Sequence, residues 1–341
     1  MEELDKIPGI VSLPKSNDGF QYLIAQKRII ESRIFDTNFS LPHGGVIVDL
    51  PDGKKGIAVA VIQPYYYAEQ SMQKQGQARK LKILNLDGSE YMDLTEPELG
   101  ENPSSQTKIT RDADSLFVTT YNTPDSYLAK YRMGTFETEW KNRLGSTAMQ
   151  SITVNDTHVI CFNMTDGTID YFNKSSGKRE RRVDIKEQWG GHSHHNIESS
   201  DLILLAGVPG LSWIMDLSNQ LKTFDGEGNL VNKTNIPTNI GTLDAVSVDI
   251  KLQKVYLAFG NSIMVFTPQG YQGTIAVPCD RVLELNVDPD TSSLIVSSKE
   301  QGDNGGKLDI ISLEAINALT LMPTIDVETR RIDGPSFDDN I

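Results

Sequence analysis

Several things are scarce in this chain, and each scarcity excludes something. It has only two cysteines, Cys161 and Cys279, among 341 residues. Both stand in or beside apolar runs, so buried free thiols are expected and a disulfide framework is not. Long apolar runs are missing. The longest uncharged one, Leu202 to Met215, is too short to span a bilayer and is broken by Pro209-Gly210. Positive charge is in deficit: 32 Lys and Arg stand against 46 Asp and Glu, a formal net charge of −14. That balance opposes general binding to nucleic acid or to an anionic membrane, because both need cations facing phosphates. It favours solubility. No 3.6-residue period is sustained over a long window, and no coiled-coil heptads occur. No nucleophile elbow, P-loop or paired metal-binding cysteine motif is found. The start, Met1-Glu-Glu-Leu-Asp5, offers neither a basic n-region nor an apolar h-region. The expectation is therefore a cytoplasmic protein, or a virion component if the source is viral. The Asn-x-Ser/Thr sites at Asn38, Asn155, Asn163, Asn173 and Asn232 then mean little.

What the chain does have is a repeat, clearest between Val154 and Lys178. Asn155-Asp156-Thr157 is a turn signal, since Asn and Asp bond their own backbone. His158 to Phe162 is apolar and β-branched and reads as a buried strand. Asp166-Gly167 marks a hairpin. Thr168 to Phe172 is the next strand, with Ile169 and Tyr171 on one face by the period of two. Ser175-Ser176-Gly177 turns again, and Lys178 to Val183 reads as a polar edge strand. Weaker copies follow Asp49, Asp112, Glu198, Asp249 and Asp288, each ahead of an apolar strand. A second marker keeps step: the following strand ends near Gly88, Gly134, Gly177, Gly228 and Gly270. The spacing is about 40–50 residues, with a longer first interval between Asp49 and Asp112, and this is the period of four-stranded propeller blades. A pair of β-sandwiches is the alternative, but sandwiches do not require a repeat of this length.

The segment Val159 to Lys178 resembles a repeat of the PQQ-like or WD40-like propeller superfamily: strand, Asp-Gly-Thr turn, strand with a tyrosine, Ser-Gly-Lys turn. Tyr127 to Trp140 is similar and ends in the tryptophan such repeats place after the turn, where the third copy has Arg181 or Arg182. The resemblance concerns architecture over most of residues 44–328. A quinone-dependent dehydrogenase, which it also suggests, needs a quinone sandwich, commonly with a vicinal disulfide. Cys161 and Cys279 are not adjacent, and only Trp140, Trp189 and Trp213 could stack. No cofactor is therefore expected. The recurring Asp49, Asp112, Asn155, Glu198, Asp249 and Asp288 read as turn residues at equivalent blade positions, not as a catalytic calcium ring.

The fold expected is all-β: a single propeller of about six four-stranded antiparallel blades over residues 44–328. Part of residues 1–43 supplies strands that close the ring, and 329–341 forms a polar tail. Two places could carry function. His192, His194 and His195, with Glu198 as an oxygen donor, are the weak candidates for a metal. The first blade is long between Gln63 and Glu101. It contains Tyr65, Tyr66 and Tyr67, a Gln-rich stretch, and acids including Glu90, Asp93, Glu96 and Glu98. Long loops on rigid scaffolds make partner contacts, tyrosines anchor them, and carboxylates select a basic surface. On this reading 65–101 is a replaceable excursion that binds a protein partner. The expected function is a non-enzymatic interaction platform in a larger assembly. A virion tail or host-recognition protein, and a metal-dependent hydrolase centred on the histidines, are the alternatives.

Overall fold

The computed structural model describes residues 10–12, 22–25, 29–32, 41–62, 79–86, 89–94, 106–121, 126–145, 149–189, 196–198, 203–207, 219–236, 243–249, 251–267, 270–277, 279–288, 290–299 and 306–313. Three short strands come first: β1 (Ile10–Ser12), β2 (Tyr22–Ala25) and β3 (Ile29–Ser32). The first sheet then holds β4 (Leu41–Asp49), β5 (Lys55–Ile62), β6 (Arg79–Asn85) and β7 (Glu90–Asp93). The second holds β8 (Gln106–Arg111), β9 (Ser115–Tyr121), β10 (Ser126–Arg132) and β11 (Thr138–Gly145). The third holds β12 (Met149–Val154), β13 (His158–Asn163), β14 (Thr168–Asn173) and β15 (Arg179–Asp184). The fourth holds β16 (Asn196–Glu198), β17 (Ile203–Gly207), β18 (Asn219–Phe224) and β19 (Leu230–Ile236). A fifth is built on β20 (Leu243–Asp249), β21 (Lys254–Phe259), β22 (Ser262–Thr267) and β23 (Gly270–Ala276). The last is built on β24 (Arg281–Asp288), β25 (Ser293–Lys299) and β26 (Gly306–Ser312). Within each of these groups consecutive strands pair antiparallel.

The N-terminal strands depart from a uniform four-strand pattern. β3 pairs antiparallel with β26 and is the fourth strand of its sheet. β2 pairs parallel with the outer side of β23, and β1 pairs with β2, so the fifth sheet has six strands. An edge strand leaves backbone donors and acceptors unpaired, and β2 supplies partners for those of β23.

The apolar runs are explained by burial on both faces of a sheet, as the first and third sheets show. In β5, Ile57 and Val59 pack with Ile295, Leu308 and Ile310 of the last sheet. Ala58 and Ala60, on the opposite face, pack with Ile109, Leu116 and Val118 of the second. In β14, Ile169 and Tyr171 join Phe224 of the fourth sheet, while Phe172 faces Phe117 and Leu128 of the second. Period-two alternation therefore sends neighbouring residues into two different cores. The first strand of each sheet packs against the first strand of the next, from β4 on β8 to β20 on β24. The sheets form a β-propeller.

Both sequence markers have a structural cause. The Asp and Asn markers end the first strand of a sheet and close its turn. Asp112 Oδ1 accepts from the N–H groups of Asp114 (2.9 Å) and Ser115 (2.8 Å). Asn155 Oδ1 does so from Thr157 and His158 at 3.0 and 2.7 Å, and Asp288 Oδ1 from Asp290 and Thr291 at 3.0 and 3.1 Å. Gly177 and Gly228 sit in turns between third and fourth strands with φ of +70° and +87°. Each also abuts the outer strand of the preceding sheet. A Cβ on Gly177 would fall 2.6 Å from Trp140, and one on Gly228 would fall 2.0 Å from Val183 Cγ1. Gly134 shares the positive φ but has open space, whereas Gly270 is instead the first residue of β23. Gly88 lies outside the described residues.

One expectation is corrected here. Residues 65–101 are not one replaceable excursion, because β6 and β7 fall within them. Leu81, Ile83 and Leu84 of β6 are buried in the cores on either side of the first sheet.

Candidate functional site: the axial cavity and the first-sheet edge

Where β4, β8, β12 and β24 converge they enclose a cavity of about 290 Å³. Its polar lining comes from the ends of these strands: Thr110, Arg111, Asp112, Thr153, Asn286, Asp288 and Asp290. Arg111 is only 10 % exposed. One guanidinium nitrogen donates to both Asp288 oxygens at 2.8 and 2.9 Å and to Asp290 Oδ2 at 3.0 Å. Asp112 Oδ2 pairs with Lys174 Nζ at 2.9 Å. Deeper along β8 and β24, Lys108 Nζ donates to Glu284 Oε2 at 2.7 Å, with both side chains 9 % exposed. Asn286 Nδ2 donates to the Gly45 carbonyl of β4 at 2.9 Å. Here three cations, Lys108, Arg111 and Lys174, face four carboxylates, Asp112, Glu284, Asp288 and Asp290.

Other chemistry-bearing groups are also committed. His158 has Nε2 at 2.9 Å from Glu180 and Nδ1 at 2.8 Å from the Thr157 hydroxyl. Cys161 and Cys279 are buried free thiols. Burial pushes the Cys161 thiol well up, and mainly burial pushes Cys279 up to about 12, so neither forms the thiolate a nucleophile requires. Asp170, fully buried in β14, is gripped by Arg182 through Nε at 2.8 Å and a second nitrogen at 2.9 Å. Among the described residues no three His, Cys, Asp or Glu side chains are grouped so as to hold a metal. None of their helices is long and apolar enough to cross a membrane.

The candidates named from sequence are not brought together. His192, His194 and His195 lie outside the described residues, as do Tyr65, Tyr66, Tyr67, Glu96 and Glu98. Glu198 ends β16, paired in register with Leu204. Glu90 and Asp93 are described: both are exposed on β7, the outermost strand of the first sheet. Glu90 pairs with Lys82 of β6, and Tyr91 between them is 37 % exposed. The axial pairs were missed, because Lys108–Glu284 and Arg111–Asp288 join residues far apart in the chain.

No protein-family model matches the sequence, and no curated protein matches it. Among solved structures the chain is similar to the WD40 domain of Pan2 from Neurospora crassa, at 10 % identity and TM-score 0.49, over 79 % of this chain and 75 % of that one. It is also similar to glutaminyl cyclase from Myxococcus xanthus, at 12 % identity and TM-score 0.41, over 60 % of this chain and 90 % of that one.

Proposed function

We propose that this protein is a non-enzymatic platform for protein–protein contact, built as one closed six-bladed ring. The observation that carries the functional reading is the state of the axial groups. Arg111, Asp112, Asp288, Lys108 and Glu284 are all held in ion pairs or turns, so none is poised to accept a proton or attack a substrate. Closure is supported by β24 and β25 packing on β4, and by the Ser297 hydroxyl accepting from Gly44 N at 3.2 Å.

Since the sheet faces are buried, recognition falls to edges, mouths and connections. The partner-facing element on this reading is β7 with the segments flanking it. Glu90 and Asp93 supply negative charge on an open edge, and Tyr91 supplies an aromatic anchor. Tyr65, Tyr66, Tyr67, Glu96 and Glu98 belong to the same stretch of chain. The partner is a protein with a basic surface.

The test is affinity purification of the wild type and of a Glu90→Gln/Asp93→Asn variant, side by side at low and high salt. One or more basic partners should be retained by the wild type, weakened by salt, and depleted from the variant. An identical retained set at both salt concentrations would place the contact elsewhere. Stoichiometric zinc in the purified protein, lost on replacing His192 and His194 with Ala, would overturn the non-enzymatic reading in favour of a metal-dependent hydrolase.

A further inference from the structure

In each of the first five sheets the fourth strand carries one extra residue at the same place. The register skips Tyr91 of β7, Glu139 of β11, Glu180 of β15, Val231 of β19 and Gln272 of β23. Such bulges kink an edge strand and discourage another chain from pairing along it. A bulge does not bar addition beyond it, because β23 has one and still accepts β2, which pairs parallel at Thr274 and Ile275. Counting from the bulge, the matching residues of β19 are Lys233 and Thr234. Their cross-strand partners agree: Met264 and Ile263 on β22 correspond to Lys222 and Leu221 on β18.

The edge left open is that of β19. Among the described residues no strand pairs with its outer side. β2 lies on β23 and β3 on β26, while β7, β11 and β15 each carry two or more charges. β19 reads LVNKTNI, with Lys233 as its single charge. Its bulge presents Val231, 58 % exposed, beside Leu230 at 39 %. Val231 is the most exposed large hydrophobic side chain among the described residues.

The positive charge of Lys233 is uncompensated. Lys233 stands directly across from Lys222 of β18, so two like charges oppose each other between neighbouring strands. Lys222 is buried and donates to the Gln188 carbonyl at 2.6 Å. Burial first, and Lys233 second, hold the Lys222 ammonium below the usual lysine range. Lys233 itself is exposed and has no carboxylate partner among the described residues.

We propose that the outer edge of β19 binds an extended strand of a partner protein, added parallel as β2 is added to β23. The strand carries an acidic residue opposite Lys233 and apolar residues toward Leu230 and Val231. Main-chain hydrogen bonds supply the attachment, and the side chains select the partner. A single lysine on an edge deters indiscriminate pairing. Lys233 attracts an acid-bearing strand and repels a second copy of β19, which brings its own lysine. This surface is separate from β7 and does not depend on the contact proposed there.

The experiment is fluorescence anisotropy of the full chain with a labelled peptide of alternating Val and Thr carrying one central Glu. Parallel arms use the same peptide with a central Lys, and with every backbone nitrogen methylated so that it cannot pair as a strand. Lys233→Glu and the milder Lys233→Gln are compared with the wild type. Both should melt like the wild type, since Lys233 is exposed and faces another lysine; if the reversed variant unfolds, the neutral one decides. The wild type should bind the Glu peptide saturably, and the Lys and methylated peptides about tenfold more weakly or worse. Lys233→Gln should weaken Glu-peptide binding about threefold and Lys233→Glu about tenfold, the latter gaining affinity for the Lys peptide. The absence of saturable binding, equal binding of the methylated peptide, or equal binding by wild type and Lys233→Gln overturns the proposal. So does a wild-type oligomer that the substitutions disperse and the peptide fails to displace, since the edge would then hold a second copy.

Discussion

Replacing Lys108 with Met should test how the innermost strands are held together. Lys108 on β8 and Glu284 on β24 belong to the second and last sheets, and β4 of the first sheet packs against both strands. Their 2.7 Å contact joins the two sheets, with each side chain 9 % exposed. A Cβ on Gly44 would fall 3.2 Å from the Glu284 carboxylate, so that carboxylate is wedged against β4. Removing one member of a buried pair leaves the other uncompensated, which costs about 3–5 kcal/mol. For 341 residues an unfolding entropy near 2.1 cal/mol/K per residue gives about 0.7 kcal/mol/K, so Tm should drop by about 4–7 °C. Glu284→Leu alone should cost a similar amount. The double variant Lys108→Met/Glu284→Leu should recover most of the loss, because an apolar pair of similar volume is often neutral or better. Circular dichroism melts of the four proteins complete the cycle. Losses below about 1 kcal/mol in both single variants, with no coupling, would mean that the pair is solvated and that these sheets do not meet across β4.

Three further outcomes follow from the same packing. Tyr256→Phe should leave stability unchanged or raise it by up to about 1–3 kcal/mol in denaturant titration, because the buried hydroxyl has no hydrogen-bond partner among the described residues. Gly228→Ala should lower stability by roughly 2–3 kcal/mol, since φ is +87° and the new Cβ meets Val183 Cγ1 at 2.0 Å; Gly134→Ala, in open space, should cost less. Cys161 and Cys279, both buried with thiols shifted upward, should resist alkylation at pH 8 until the protein unfolds, as counted by mass spectrometry.

The repeat was legible because its markers act locally. Asp112, Asn155 and Asp288 each bond N–H groups two and three residues on, so their chemistry is written within a four-residue window. Gly177 was legible as a turn residue but not for its second reason, the approach to Trp140, which lies in another sheet. The long first interval misled. A stretch holding both an insertion and the buried Leu81, Ile83 and Leu84 looks like one excursion when only its length is weighed. The pairing of β2 with β23 joins residues 252 apart and has no local signature.

The distribution of charge separates support from recognition. Along the axis, opposite charges are paired at 2.7–3.0 Å and largely withdrawn from water, as in Lys108–Glu284 and Arg111–Asp288. At the rim the charges are instead exposed: β7 presents Glu90, paired with Lys82 of β6, and Asp93. Rim charges chiefly set association rate and salt dependence, whereas removing half of a buried pair destabilises the fold. The two classes should therefore respond differently to the same perturbation. Raising ionic strength should weaken the proposed contact at β7 yet leave the melting temperature nearly constant, because buried pairs are poorly screened. Neutralising Glu90 and Asp93 should weaken the proposed basic partner and leave the melt unmoved. If the melt fell together with the contact, these edge charges would support the fold and recognition would lie elsewhere.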